Sequence, residues 1–208
     1  CFSHRSAMKA RDRKQLACAV LSAVPSLIDR GRLLAATPLG RILRGIYLED
    51  SSDPERIYAW AFVQPLYAPA STIVFDFGQR LGGPSRTWGT DEATTLVEAV
   101  RNEGVPHFGR MSSPGAIADW SFLDGRSDPH ALEAKAYSLV AAGRRDEGVR
   151  ALRELTQSLS GDAAWIVDMR KRAEQLAKLA EEEPTAADAL LGRWESATVA
   201  ALGILNIP

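Results

Sequence analysis

Cysteine is nearly absent: the chain carries two, Cys1 and Cys18. A bridge between a chain end and a predicted helix would restrain little, so a disulfide-stapled scaffold is excluded and a reducing, cytoplasmic setting is expected. Histidine is as sparse. His4, His107 and His130 stand far apart, outside any HExxH pattern and beside no cysteine at ligand spacing, so no metal and no other cofactor is expected. No apolar run approaches the roughly 20 residues that cross a bilayer, which excludes insertion as a membrane-spanning helix. Neither sign of charge dominates, with 25 Lys and Arg against 26 Asp and Glu. There is no dense basic stripe to displace phosphate counterions, which argues against nucleic acid as the partner. A GxSxG serine elbow, a GxGxxG turn and a GxxxxGK[ST] loop are also missing; GQRLGG at 78–83 reads as a loop closing a sheet.

What is present is the composition of an ordinary globular protein: 208 residues, 46% hydrophobic and 25% charged. That bounds the chain to one domain or two small ones. Charge is uneven along it, since residues 1–90 carry 12 basic against 7 acidic side chains and residues 91–208 carry 13 against 19. The densest basic cluster, Arg5, Lys9, Arg11, Arg13 and Lys14, reads as a solvated helix start. Residues 11–24 imitate a signal peptide, but Leu16, Val20, Val24, Leu27 and Ile28 continue at helical spacing and favour a folded helix. Residues ahead of Met8 offer nothing readable about function. The use of 20 Arg against 5 Lys hints at a GC-rich bacterial genome.

The order of signals predicts an α+β fold: an N-terminal helix and a three-stranded antiparallel meander, then a C-terminal helical array. The helix is expected from about Lys9 to Arg30, kinked by Pro25 and stopped at Gly31. Alternation over Ile42–Leu48 predicts one strand, IYAWAFVQ at 57–64 a central one, and Ile73, Phe75 and Phe77 a third. From Thr90, expected to be an N-cap ahead of Asp91 and Glu92, the pattern is helical, with Gly104 as a stop and with Ser113-Pro114 and Asp128-Pro129 as cap-then-proline starts. Further helices are expected at about 129–142, 145–159, 163–182 and 185–205, the last packing through a wide stripe from Leu190 to Leu205. The expected division is 1–89, helix plus meander, and 90–208, helical, packed together as one domain.

Residues 131–155, ALEAKAYSLVAAGRRDEGVRALREL, place Leu132, Ala136, Leu139, Gly143, Gly148, Leu152 and Leu155 at the large, small and turn positions of a helical hairpin. This segment resembles a tetratricopeptide unit. The resemblance implies a protein or peptide ligand; a generic antiparallel hairpin is the alternative, and no second copy follows at the 34-residue period.

Candidate chemistry is thin. Tyr67, Trp88 and Trp120 lie in loop-like segments near Arg80, Arg86 and Arg110, and Tyr, Trp and Arg together make binding hot spots at a surface. Trp60 and Trp194 fall in strand and helix patterns and read as core. The acidic run Glu181–Glu183 reads as a solvated helix end. His107, in a loop between Gly104 and Gly109, is the one histidine placed to serve a cleft, with Asp76 or Asp119 as the acid. The leading expectation is a non-enzymatic protein-binding domain, such as a bacterial immunity protein that neutralises a toxin, or an adaptor. The alternatives are a small hydrolase or ligand-binding protein using His107, and a homo-oligomeric structural component.

Overall fold

The structure, a computed structural model, describes Met8, residues 10–205 and Ile207. Cys1, His4, Arg5 and Lys9 lie outside the described residues. The fold is α+β, and it groups into two compact units. One takes in the chain up to Gln64 together with Phe77–Met111; the other takes in Pro65–Asp76 and Ser112–Leu205.

The first unit holds α1 (Ala10–Ala23) and an antiparallel sheet of five strands in sequential order, where three were predicted. They are β1 (Leu27–Arg30), β2 (Leu33–Ala36), β3 (Ile42–Asp50), β4 (Ile57–Pro65) and β5 (Gly78–Arg80). One additional strand, β1, comes out of the predicted first helix, which ends at Ala23 rather than Arg30, and the other, β2, follows it beyond Gly31. Pro25 has no N–H to give a helix and restricts the residue before it, so the last turn cannot form. Gly31 is accordingly not a helix stop. It opens the two-residue β1–β2 turn, where its N–H donates to Asp29 Oδ1 at 2.7 Å. Of the basic cluster, Arg13 is tied to Asp50 at 3.2 Å, while Arg11 and Lys14 are exposed.

The predicted third strand is displaced. Ile73, Val74 and Phe75 are irregular and half-buried, and β5 begins only at Gly78. The segment is tied to the helical unit instead of to a ladder: the Ala70 N–H meets Thr198 Oγ1 at 3.4 Å and the Asp76 carbonyl accepts from Arg126 Nη1 at 3.2 Å. Gly104 is likewise no stop. A 3-10 turn (Thr90–Glu92) leads into α2 (Ala93–Ala99), a π-helical turn (Val100–Gly104) and α3 (Val105–Gly109) without a break. A Cβ on Gly104 would lie 2.9 Å from Ile46 Cδ1, so the glycine admits the helix close to the sheet.

The second unit contains α4 (Pro114–Ala118), α5 (Pro129–Ala141), α6 (Arg145–Ser158), α7 (Ala164–Glu182) and α8 (Pro184–Leu202), near the predicted bounds of the four long helices. Two of the three predicted caps form: Ser113 Oγ accepts from the Ala116 N–H at 3.2 Å and Asp128 Oδ1 from the Ala131 N–H at 3.0 Å, whereas Thr90 lies inside its 3-10 turn and Gly89 takes the cap position, its N–H held by Glu92. α5 and α6 make a hairpin in which a Cβ on Gly148 would meet Val140 Cγ2 at 2.6 Å. Ala136, Leu152 and Leu155 are fully buried in it. Glu133 on α5 accepts from Arg172 Nη2 on α7 at 3.0 Å, and Tyr137 stacks on Trp194 of α8 with centroids 5.4 Å apart. The stripe on α8 is narrower than predicted. Leu190, Leu191 and Thr198 are buried, but Ala197, Ala201 and Leu205 are exposed, because only one side of α8 meets the other helices.

Gly45 is the tightest point of the sheet, with φ at 153° and an added Cβ only 2.1 Å from the Leu34 carbonyl oxygen. Gly45→Ala is expected to cost about 3 kcal/mol or more, by steric overlap and backbone strain together. Urea denaturation of the variant beside the parent checks this.

Candidate functional site

The N-terminal half of β4 alternates: Ile57, Ala59 and Ala61 are buried, while Tyr58 and Trp60 are half-buried on the opposite face. β5 brings Arg80 directly across from Trp60. Its guanidinium lies 3.9 Å from the Tyr58 ring centroid and 4.8 Å from that of Trp60, an arrangement in which the ring faces attract the cation. Glu49, from β3, accepts the Trp60 indole Nε1–H at 2.8 Å and lies 3.8 Å from Arg80 Nη2. One ring is therefore fixed by the carboxylate and both are covered by the arginine. Trp60, Gly78, Gln79, Arg80 and Pro84 line a depression of about 450 Å³ beside this stack.

The wall carrying Pro84 belongs to the loop after β5, and two ties hold it. Arg80 Nη1 donates to the Pro84 carbonyl at 2.6 Å. Further along, the Glu92 carboxylate accepts from Arg56, from Arg86 Nη2 at 2.6 Å and from the Gly89 N–H at 3.1 Å. Arg56 also reaches back to the loop, donating to Thr87 Oγ1 at 2.7 Å and to its carbonyl at 2.8 Å. Trp88 closes the arrangement by exchanging main-chain hydrogen bonds with Ile57 at 2.8 and 3.0 Å. The Gly89 N–H, followed by the charges of Arg56 and Arg86, holds Glu92 below the ordinary carboxylate range against the opposing effect of burial.

Several predicted site residues fall elsewhere. Tyr67 is fully buried and shares a 2.7 Å hydrogen bond with Ser138, and Trp88 is also core, with Arg86 packed 4.5 Å over its ring. These two do not form a surface cluster. Their segments lack regular structure, but their side chains fill the two cores. Arg110 is exposed and Trp120 half-buried, the latter in the second unit. Arg80 lies in the depression just described. His107 is not in a loop; it lies on α3, half-buried, with Nε2 3.1 Å from the Phe77 carbonyl oxygen. Burial lowers its pKa, partly offset by that hydrogen bond. Asp76 and Asp119 are exposed in the second unit, and Asp119 pairs with Arg144.

Tyr58, Trp60 and Glu49 were not singled out as binding residues. Trp60, expected in the core, is instead half-buried, with the Arg80 guanidinium over its ring. The available signal was Glu49, a charged residue on the same face of the neighbouring strand. Two other depressions, of about 590 and 610 Å³, run along α6 and share Arg145, Asp146 and Arg150, with acids interspersed among the arginines. Among the described residues no three His, Cys, Asp or Glu side chains gather as a metal would need, and no helix is long and apolar enough to cross a membrane. Comparison with family models, curated proteins and solved structures found no match for this chain.

Glu92 sets a pH dependence. Its pKa is lower in the folded protein than in the unfolded chain, so its contribution is complete above the ordinary value near 4.3 and is lost as pH falls through the lowered one. Glu92→Gln is expected to be less stable than the parent at neutral pH. The gap should narrow on acidification from about pH 5 to about pH 3, as followed by urea melts at several pH values.

Proposed function

We propose that this chain is a non-enzymatic protein-binding domain, and that the depression beside Trp60 and Arg80 is where it meets its partner. The observation that carries the reading is the Arg80 guanidinium laid over Tyr58 and Trp60, all three half-buried beside the depression. Aromatic and arginine side chains dominate binding energy at protein interfaces, because they offer large area at little rotamer cost and keep a polar handle. Here the ordering has been done in advance: Glu49 fixes the indole and the Pro84 carbonyl fixes the guanidinium, so less freedom is lost on binding. The α5–α6 hairpin supports the same reading, since its resemblance to a tetratricopeptide unit implies a protein ligand. His107 Nε2 meets the Phe77 carbonyl and Asp119 pairs with Arg144, contacts that lend no support to an acid–base mechanism.

The test is affinity capture from a lysate of the encoding organism, using the parent and Trp60→Ala, with circular dichroism to verify folding. The expected result is a stoichiometric partner that survives a high-salt wash and is lost with Trp60→Ala, whose affinity should fall by roughly thirtyfold. A partner held equally by both proteins, or none held by the parent, would overturn the reading.

A further inference from the structure

Among the described residues β5 ends the sheet, so one side of it has no neighbouring strand. The register sets Arg80 opposite Trp60, Gln79 opposite Ala61 and Gly78 opposite Phe62, and the Leu81 N–H donates to the Ala59 carbonyl at 2.9 Å. In an antiparallel ladder hydrogen-bonded and non-hydrogen-bonded pairs alternate. Leu81 and Gln79 therefore direct their main-chain groups at β4, while Gly78 and Arg80 direct theirs outward. The Arg80 carbonyl is taken by the Gly83 N–H at 3.4 Å. That leaves the Gly78 N–H and carbonyl and the Arg80 N–H to meet a further strand.

The opposite edge is defended. β1 carries exposed Asp29 and Arg30, and proline precedes it at Pro25, all of which discourage edge pairing. β5 has only Gly78 and Gln79 beside Arg80, and its edge borders the depression walled by Trp60 and Pro84. Charge indicates what would add there. Among the described residues Glu49 is the one carboxylate within ion-pair reach of Arg80, at 3.8 Å, too long for a hydrogen bond, and it already accepts the Trp60 N–H. A cation held over aromatic rings without a tight counter-ion complements a carboxylate brought in from outside.

Resting on the binding function proposed above, we infer that the free edge of β5 accepts an extended acidic peptide as a sixth strand. An acidic side chain meets Arg80, and an apolar side chain two residues away enters the depression beside Trp60. Main-chain hydrogen bonds supply affinity, and the same-face pair supplies selectivity. Spacing of two is required because alternate residues of a strand share a face.

The probe is a blocked heptapeptide, Ser-Glu-Thr-Val-Thr-Glu-Ser, titrated into isotopically labelled full-length protein, with the same peptide carrying lysine for glutamate as control. The expected result is that the Gly78 and Arg80 amide signals shift and their hydrogen exchange slows, while the lysine peptide leaves them unchanged. Arg80→Gln, with its fold verified by the same spectra, should bind the acidic peptide about tenfold more weakly. Equal binding of both peptides, no response at 78–80 up to about 1 mM peptide, or preference for an oligonucleotide over the acidic peptide would overturn the inference. If capture of a protein partner depends on Trp60 while the peptide leaves Gly78 and Arg80 untouched, strand addition fails and the protein-binding reading stands.

Discussion

The cross-strand pairing of Trp60 with Arg80 is the contact on which the proposed surface depends. The two residues are a non-hydrogen-bonded pair, the geometry that brings facing side chains closest. Proximity lets the guanidinium settle over two rings at once, which orders a side chain that would otherwise carry about 2 kcal/mol of rotamer entropy. Once fixed, Arg80 also reaches the Pro84 carbonyl and so positions the loop that walls the depression. Strand pairing, side-chain order and loop position are successive consequences of one register.

Three glutamates in this chain do different jobs. Glu49 is half-exposed and acts by orienting an indole. Glu92 gathers two guanidinium groups and a main-chain N–H, and so ties the loop after β5 to the start of β4. Glu133 is buried on α5 and reaches Arg172 on α7. Isolated surface pairs such as Lys178–Glu182 contribute little, roughly 0 to 1 kcal/mol. Glu133 differs because removing its partner would strand a buried charge. Nearby, burial and the Glu133 charge raise the Tyr137 phenol above its ordinary value, so it stays neutral while stacked on Trp194. Within the helical unit the buried Glu133–Arg172 pair and the Tyr137–Trp194 stack add to the apolar interior, beside more exposed pairs such as Arg153–Glu181 between α6 and α7.

How much was legible depended on the range of the signal. Ser113 and Asp128 cap the helices that follow them because a cap needs only a few consecutive residues. Gly148 marked a close helix approach for a similarly local reason, since its spacing from Val140 follows from the hairpin turn. The first helix was overextended because Leu27 and Ile28 fit a helical stripe and a strand equally well, and the pairing of β1 with β2 decided between them. Ile73 to Phe77 show the converse: their alternation is real, but no strand lies beside them for a ladder. Of the candidate site residues, Arg80 is in the depression, Tyr67 and Trp88 turned out to be core, and Trp60 was assigned to the core and is not.

By itself the sequence determined the class, the Ser113 and Asp128 caps, the approximate bounds of the long helices and the absence of a membrane-spanning run, because each follows from residues close together along the chain. Only the tertiary structure decided which aromatic rings face outward, which acid each arginine meets and which strand is left with an open edge. Those outcomes depend on the strand register and on contacts between residues such as Arg56 and Glu92 or Glu133 and Arg172, far apart in sequence. No local pattern encodes the identity of a distant neighbour, and in this protein those neighbours make the surface.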